Sequence, residues 1–137
     1  MDCLFCDITN KKRSAHIIYE DGAAISVLDV MPRAQGHALV LPKKHVETIL
    51  DIPDADMGGL WMSVKKTTEL LKRTLSCDGF TIGINHGKVS GQAVEHLHIH
   101  IIPRFHGDGG GSIHGVVNAP SSLSLDEVEQ KIIGVSR

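Results

Sequence analysis

The sequence predicts a single α+β domain, helices packed on a sheet around one core, and three observations carry that prediction. The chain has 137 residues, enough for one buried core and too few for two ordinary domains. Several short stretches alternate apolar and polar residues with the period of a strand, and they are bounded by Gly, Pro and Asp. One longer stretch instead repeats its apolar residues at helical spacing.

Taken in order, residues 16–29 (HIIYEDGAAISVLD) read as a strand, an Asp21-Gly22 turn and a second strand, after which Met31-Pro32 breaks the pattern. GHALVLPKKH, residues 36–45, carries a β-rich run that ends at Pro42, opened by His37 and followed by His45. After Pro53, the residues Met57, Leu60, Trp61, Val64, Leu71 and Leu75 predict an amphipathic helix from Asp54, its N-cap, to about Cys77. Phe80 to Asn85 alternates as a strand, Gly87 to Gly91 turns the chain, and Val94 to Ile102 alternates again until Pro103 stops it. These two strands are predicted to pair antiparallel. Beyond Phe105, GDGGGS predicts a flexible loop, and Ser124 with Glu127 predicts a capping box opening a short helix to about Ile133. Residues 1–105 therefore form the core, and residues 106–137 add the Gly-rich loop and C-terminal helix to the same domain.

A net charge of −2 and scattered basic residues, apart from Lys11, Lys12, Arg13 and the pair Lys43, Lys44, do not make the field of a nucleic-acid-binding protein. No apolar stretch approaches the ~20 residues that cross a bilayer. The start, MDCLFCD, lacks the basic and long apolar regions of a signal peptide, so a soluble cytoplasmic protein is expected. In that reducing compartment Cys3 and Cys6 read as a metal-binding or redox pair rather than a disulfide, and Cys77 as a small apolar residue.

The chemistry concentrates in the histidines: five of nine, His86, His96, His98, His100 and His106, fall within 21 residues. In HLHIHIIPR, residues 96–104, a strand would turn His96, His98 and His100 to one face and Leu97, Ile99 and Ile101 to the core. Such a row suits a catalytic metal, or a neutral imidazole that attacks phosphorus or a carbonyl while its neighbours hold its tautomer. Spacing alone does not choose between them.

The run HLHIHII resembles, position for position, the motif of the histidine triad (HIT) family of nucleotide hydrolases and transferases. The likeness continues through YEDG at 19–22, LDVMPRAQGHALVLPKKH at 28–45, INHG at 84–87 and GQAVEHLHIHIIPR at 91–104, spanning roughly residues 3–105. It implies an antiparallel sheet of about five strands carrying the long helix 54–77, and a homodimer joined through that helix, the strand at 80–85 and Trp61.

The same resemblance implies a purine nucleotide hydrolase that releases a nucleoside 5′-monophosphate, an adenosine or guanosine derivative, in the manner of a phosphoramidase. His98 would attack the α-phosphorus to form a nucleotidyl-histidine, with a backbone carbonyl fixing its tautomer. His100 would lie beside the phosphate and His37 would approach from the neighbouring strand. Asn85 and Gln92 occupy phosphate-contacting positions, and Asp29 the position that grips the ribose hydroxyls. In members with an N-terminal Cys pair, a structural zinc would be held by Cys3, Cys6, His45 and His96, with no cofactor needed for the chemical step. Ala93 departs from members that carry a hydroxyl there, and His100 separates the chain from the His-x-His-x-Gln transferase branch. A dinucleoside polyphosphate hydrolase is the alternative within the family, and a non-catalytic nucleotide-binding scaffold the alternative outside enzymes.

Overall fold

Five antiparallel strands in the order β1-β2-β3-β5-β4 form the frame of the computed structural model, which describes residues 2–136. The strands are β1 (Ile17–Glu20), β2 (Ala24–Leu28), β3 (Ala38–Pro42), β4 (Gly79–Gly83) and β5 (Ile99–Arg104). Helix α1 (Leu4–Thr9) precedes them, α2 (Asp54–Leu75) lies between β3 and β4, and α3 (Leu125–Ser136) ends the chain. The α+β class with an antiparallel sheet is thus as the sequence predicts. No helix among the described residues is long and apolar enough to cross a membrane.

Strand alternation splits the sheet's side chains between two cores. Ala24, Ala38, Val40, Ile99 and Ile101 face α2, where they meet Leu60, Val64 and Leu71. Each fully buried Leu or Ile there contributes about 1.5–3 kcal/mol. A buried hydroxyl chain crosses this interface: Ser26 donates to Thr67 over 2.6 Å, and Thr67 donates to the Ser63 carbonyl over 2.8 Å. On the opposite face Ile25, Val27, Leu39 and Leu41 are covered by Phe5 and Ile8 of α1. The strand and helix periodicities of the sequence do not predict this helix; its only local signal is the apolar pair Phe5 and Ile8, three residues apart.

Local chemistry accounts for the turns. In the β1–β2 hairpin Asp21 closes the turn with its own carboxylate, accepting from the Ala23 and Ala24 N–H groups at 2.8 and 2.9 Å, and ties it to α2 by accepting from Ser63 at 2.6 Å. Helix α2 begins one residue away from expectation. Pro53 is its N-cap, with no side-chain cap, and Asp54 is the first helical residue, where a negative charge suits the helix dipole. It ends at Leu75 on a left-handed Ser76, φ 53°. The predicted capping box of α3 is present, Ser124 Oγ accepting from Glu127 N–H at 3.2 Å and Glu127 accepting from Ser124 N–H at 3.1 Å.

The histidine strand differs more. It starts at Ile99 rather than Val94, and it continues through Pro103 to Arg104 instead of stopping. Proline is tolerated because Arg104 points its carbonyl to β4, accepting from Asp78 at 2.8 Å, so alternation turns Pro103 the other way. On that side β3 has already ended, its last pairing being Ala38 with Ile101. The residues ahead of β5 are held separately, the Leu97 N–H donating to the Val46 carbonyl at 2.7 Å. The GDGGGS segment winds around Arg104, whose guanidinium donates to Asp108, Thr81 and the Gly111 carbonyl.

Candidate functional site

The three histidines of the row are each held by a different partner, and the partners fix their protons. The His96 Nε2 lies 2.9 Å from the Pro42 carbonyl, which can only accept, so the proton is on Nε2 and the Nδ1 lone pair points away. His98 Nδ1 lies 2.8 Å from the His96 carbonyl, so that proton is on Nδ1 and the Nε2 lone pair is free. Phe5 packs its ring edge-on at 5.0 Å and steadies the imidazole.

His100 is fixed indirectly. The backbone N–H of Arg33 donates to His37 Nδ1 at 3.0 Å, which leaves the His37 proton on Nε2. His37 Nε2–H then donates to His100 Nδ1 at 3.0 Å, and His100 carries its own proton on Nε2. That nitrogen is buried and has no hydrogen-bond partner among the described residues. Burial holds His37 below the ordinary imidazole range, and burial together with His98 and His37 brings His100 down to about 4. Both rings are therefore neutral at pH 7.

His98 and His100 line a pocket of about 630 Å³, a volume that suits a small-molecule ligand. Leu4, Phe5 and Ile8 of α1 with Val27 and Leu39 of the sheet supply apolar walls, and Asp29, Asn85, Gly91 and Ala93 lie on the lining as well. The Asp29 carboxylate accepts from Met31 N–H at 2.8 Å and lies 3.4 Å from His37 Nε2. Gln92 is engaged elsewhere. Its Oε1 accepts from Gly87 N–H at 2.8 Å, its Nε2 donates to the Glu47 and Val94 carbonyls, and its backbone N–H donates to the Gly87 carbonyl. The residue braces the 87–94 turn and has no donor left for a phosphate.

A second cluster lies behind His96. Cys3 Sγ and Cys6 Sγ are each 3.5 Å from His96 Nδ1, Cys6 Sγ is 3.2 Å from His45 Nδ1, and the two imidazole Nδ1 atoms are 3.2 Å apart. Tetrahedral zinc bonds of ordinary length set nitrogens about 3.3 Å apart and nitrogen and sulfur about 3.6 Å apart. The four atoms can hold a metal ion on that geometry. Burial and the neighbouring Cys3 push the Cys6 thiol up to about 11, so a thiolate there calls for a cation between the ligands. Because His96 turns to this cluster and the Nδ1 of His98 is bound to the backbone, the row does not converge on one catalytic metal.

The oxygen and nitrogens of Asp29, His37 and His100 also lie within 4.8 Å of one another. A metal there would need the His37 Nε2 lone pair and hence a proton on Nδ1, facing the Arg33 N–H. That clash disfavours a metal at this second group.

Known proteins share the sequence pattern and the fold of this chain. The HIT domain family model matches residues 10–107. An uncharacterized HIT-like protein of Methanocaldococcus jannaschii is 45% identical over 132 residues, spanning 96% of this chain and 99% of that protein. The adenosine 5′-monophosphoramidase of Candida albicans is 33% identical over 106 residues, spanning 74% of this chain and 70% of that protein. Among solved structures, a HIT family member from Bacillus subtilis superposes with a TM-score of 0.86 at 27% identity, covering 99% of this chain and 96% of that one.

Proposed function

This chain belongs to the HIT domain family, and from that premise we propose that it hydrolyses a purine nucleoside 5′-phosphoramidate through a covalent intermediate on His98. The observation that carries the reading is a pair of histidines lining one pocket, His98 with a free lone pair at Nε2 and His100 with a buried, unpartnered N–H at Nε2. One is a nucleophile, the other a neutral hydrogen-bond donor for charge that develops beside it.

In this reading the nucleoside lies along the apolar wall formed by Leu4, Phe5, Ile8, Val27 and Leu39, with Asp29 accepting from the ribose hydroxyls and Asn85 donating to the phosphate. His98 Nε2 attacks the α-phosphorus. A P–N bond to the imidazole forms while the substrate's own P–N bond breaks, and its nitrogen, protonated from water, departs as the amine. The His96 carbonyl stabilises the imidazolium through Nδ1–H. Water then attacks phosphorus, releases the monophosphate and restores His98. Throughout, His100 Nε2–H donates to the phosphoryl oxygens or bridging atom, which carry most charge in the transition state.

Zinc held by Cys3, Cys6, His45 and His96 would be structural, since four protein ligands leave no open position. It would tie α1, and with it one pocket wall, to the histidine segment. Two copies are proposed to pair through β4, an edge strand, and α2, where Trp61 and Met62 are 38% and 52% exposed. The unpaired thiols suit a reducing cytoplasm.

Intact-mass measurement of protein quenched with a slow adenosine phosphoramidate tests the reading. One adenylyl group is expected on the wild type and none on His98→Ala, with turnover lost. A wild type that turns over a dinucleoside polyphosphate faster than the phosphoramidate would shift the substrate class, and equal turnover by His98→Ala would end the nucleophile assignment.

A further inference from the structure

The histidine pair ends on a group that no side-chain comparison would select. We propose that the backbone amide of Arg33 is a positioning group, which locks His37 in its Nε2–H form and thereby keeps the proton of His100 on Nε2, the nitrogen left without a partner and free to donate to substrate. The catalytic consequence rests on the hydrolase reading above; the tautomer does not.

The loop at 29–37 is constructed to aim that amide. Asp29 N–H donates to the His37 carbonyl at 2.9 Å, His37 N–H to the Ala34 carbonyl at 3.1 Å, and Met31 N–H to Asp29 Oδ1 at 2.8 Å. Gly36 adopts φ +85°, against Leu75 and Pro103, and closes the turn. Arg33 N–H is then 3.0 Å from His37 Nδ1, while the Arg33 side chain itself is exposed.

An N–H directed at Nδ1 forbids a proton there, because two donors would face each other. With one ring nitrogen assigned, His37 Nε2–H and His100 Nε2–H follow in sequence. The other groups that face the pair are the Asp29 carboxylate, the Arg33 guanidinium and His98. Asp29 favours a protonated His37 and Arg33 opposes it, so the amide is the contact that also sets which nitrogen carries the proton.

The test replaces the amide at residue 33 with an ester in the full chain, removing one N–H, beside Arg33→Ala, which keeps the N–H and removes the charge. Long-range ¹⁵N–¹H correlation of the imidazoles reads tautomers without any turnover. Wild type and Arg33→Ala are expected to hold the proton on Nε2 of His37 and of His100. In the ester, His37 is expected to lose that preference and titrate about one pH unit higher, the size of one hydrogen bond to the neutral ring. kcat on adenosine 5′-phosphoramidate should fall about tenfold with KM within twofold, and the acid limb of the rate profile should move up with His37. Retention of both Nε2 protons and of the wild-type titration in the ester would overturn the proposal. A wild type without phosphoramidase activity would refute the hydrolase reading instead, and the tautomer measurement would still decide this one.

Discussion

Gly36→Ala tests the turn from which His37 emerges. At φ +85° an L-residue meets its own carbonyl, which costs about 1–2 kcal/mol. The added methyl would also overlap Leu75 Cδ1 and lie 3.3 Å from Pro103 Cγ, and overpacking of that kind costs about 1–3 kcal/mol. The sum is about 2–5 kcal/mol, and for a domain of this size each kcal/mol lowers Tm by about 3–5 °C. The two parts separate in a double-mutant cycle. Leu75→Ala removes the overlapping atom but not the backbone strain, so Gly36→Ala in that background should cost only the first 1–2 kcal/mol, a coupling of about 1–3 kcal/mol. Denaturant titration of the four proteins measures it. Additive effects would refute the steric part, and a Tm for Gly36→Ala within 2 °C of wild type would refute both.

Two further outcomes follow from the site. At free zinc about 100 times its Kd the wild type should gain about 2.7 kcal/mol over chelator-treated protein. Cys6→Ser should lose the ion in native mass spectrometry and respond to neither zinc nor chelator; an equal zinc response in the variant would remove Cys6 from the ligand set. Acid should destabilise the fold through His37 and His100. In the unfolded chain these imidazoles titrate near 6.5, whereas His100 in the fold titrates near 4, so the unfolded state binds more protons in between and stability falls as pH drops through that window. From pH 6.5 to 5 the His100 share is at most about 2 kcal/mol. His100→Gln should flatten the slope of unfolding free energy against pH, and an unchanged slope would count against a neutral buried His100.

The residues legible in sequence are those whose signal is local. Asp21-Gly22 between alternating strands, the apolar stripe of α2 and the Ser124–Glu127 box each depend on neighbours within a few positions, and each is present. The alternation of HLHIHII likewise placed Leu97, Ile99 and Ile101 in the core. Gln92 shows where such reading stops: its residue type suits a phosphate, but Glu47, 45 positions away, supplies one of the carbonyls its amide bonds.

By itself the sequence determined the class of fold, the spacing of its elements and which residue types gather near the triad, because periodicity and capping are properties of adjacent residues. Only the tertiary structure decided what each imidazole can do. A histidine's chemistry depends on which nitrogen holds the proton, and that is set by a carbonyl at Pro42 for His96, by a carbonyl two residues back for His98, and by an amide at Arg33 acting through His37 for His100. Three identical side chains in strict alternation come to differ in which nitrogen keeps its lone pair, through contacts that the residue types in the row do not reveal.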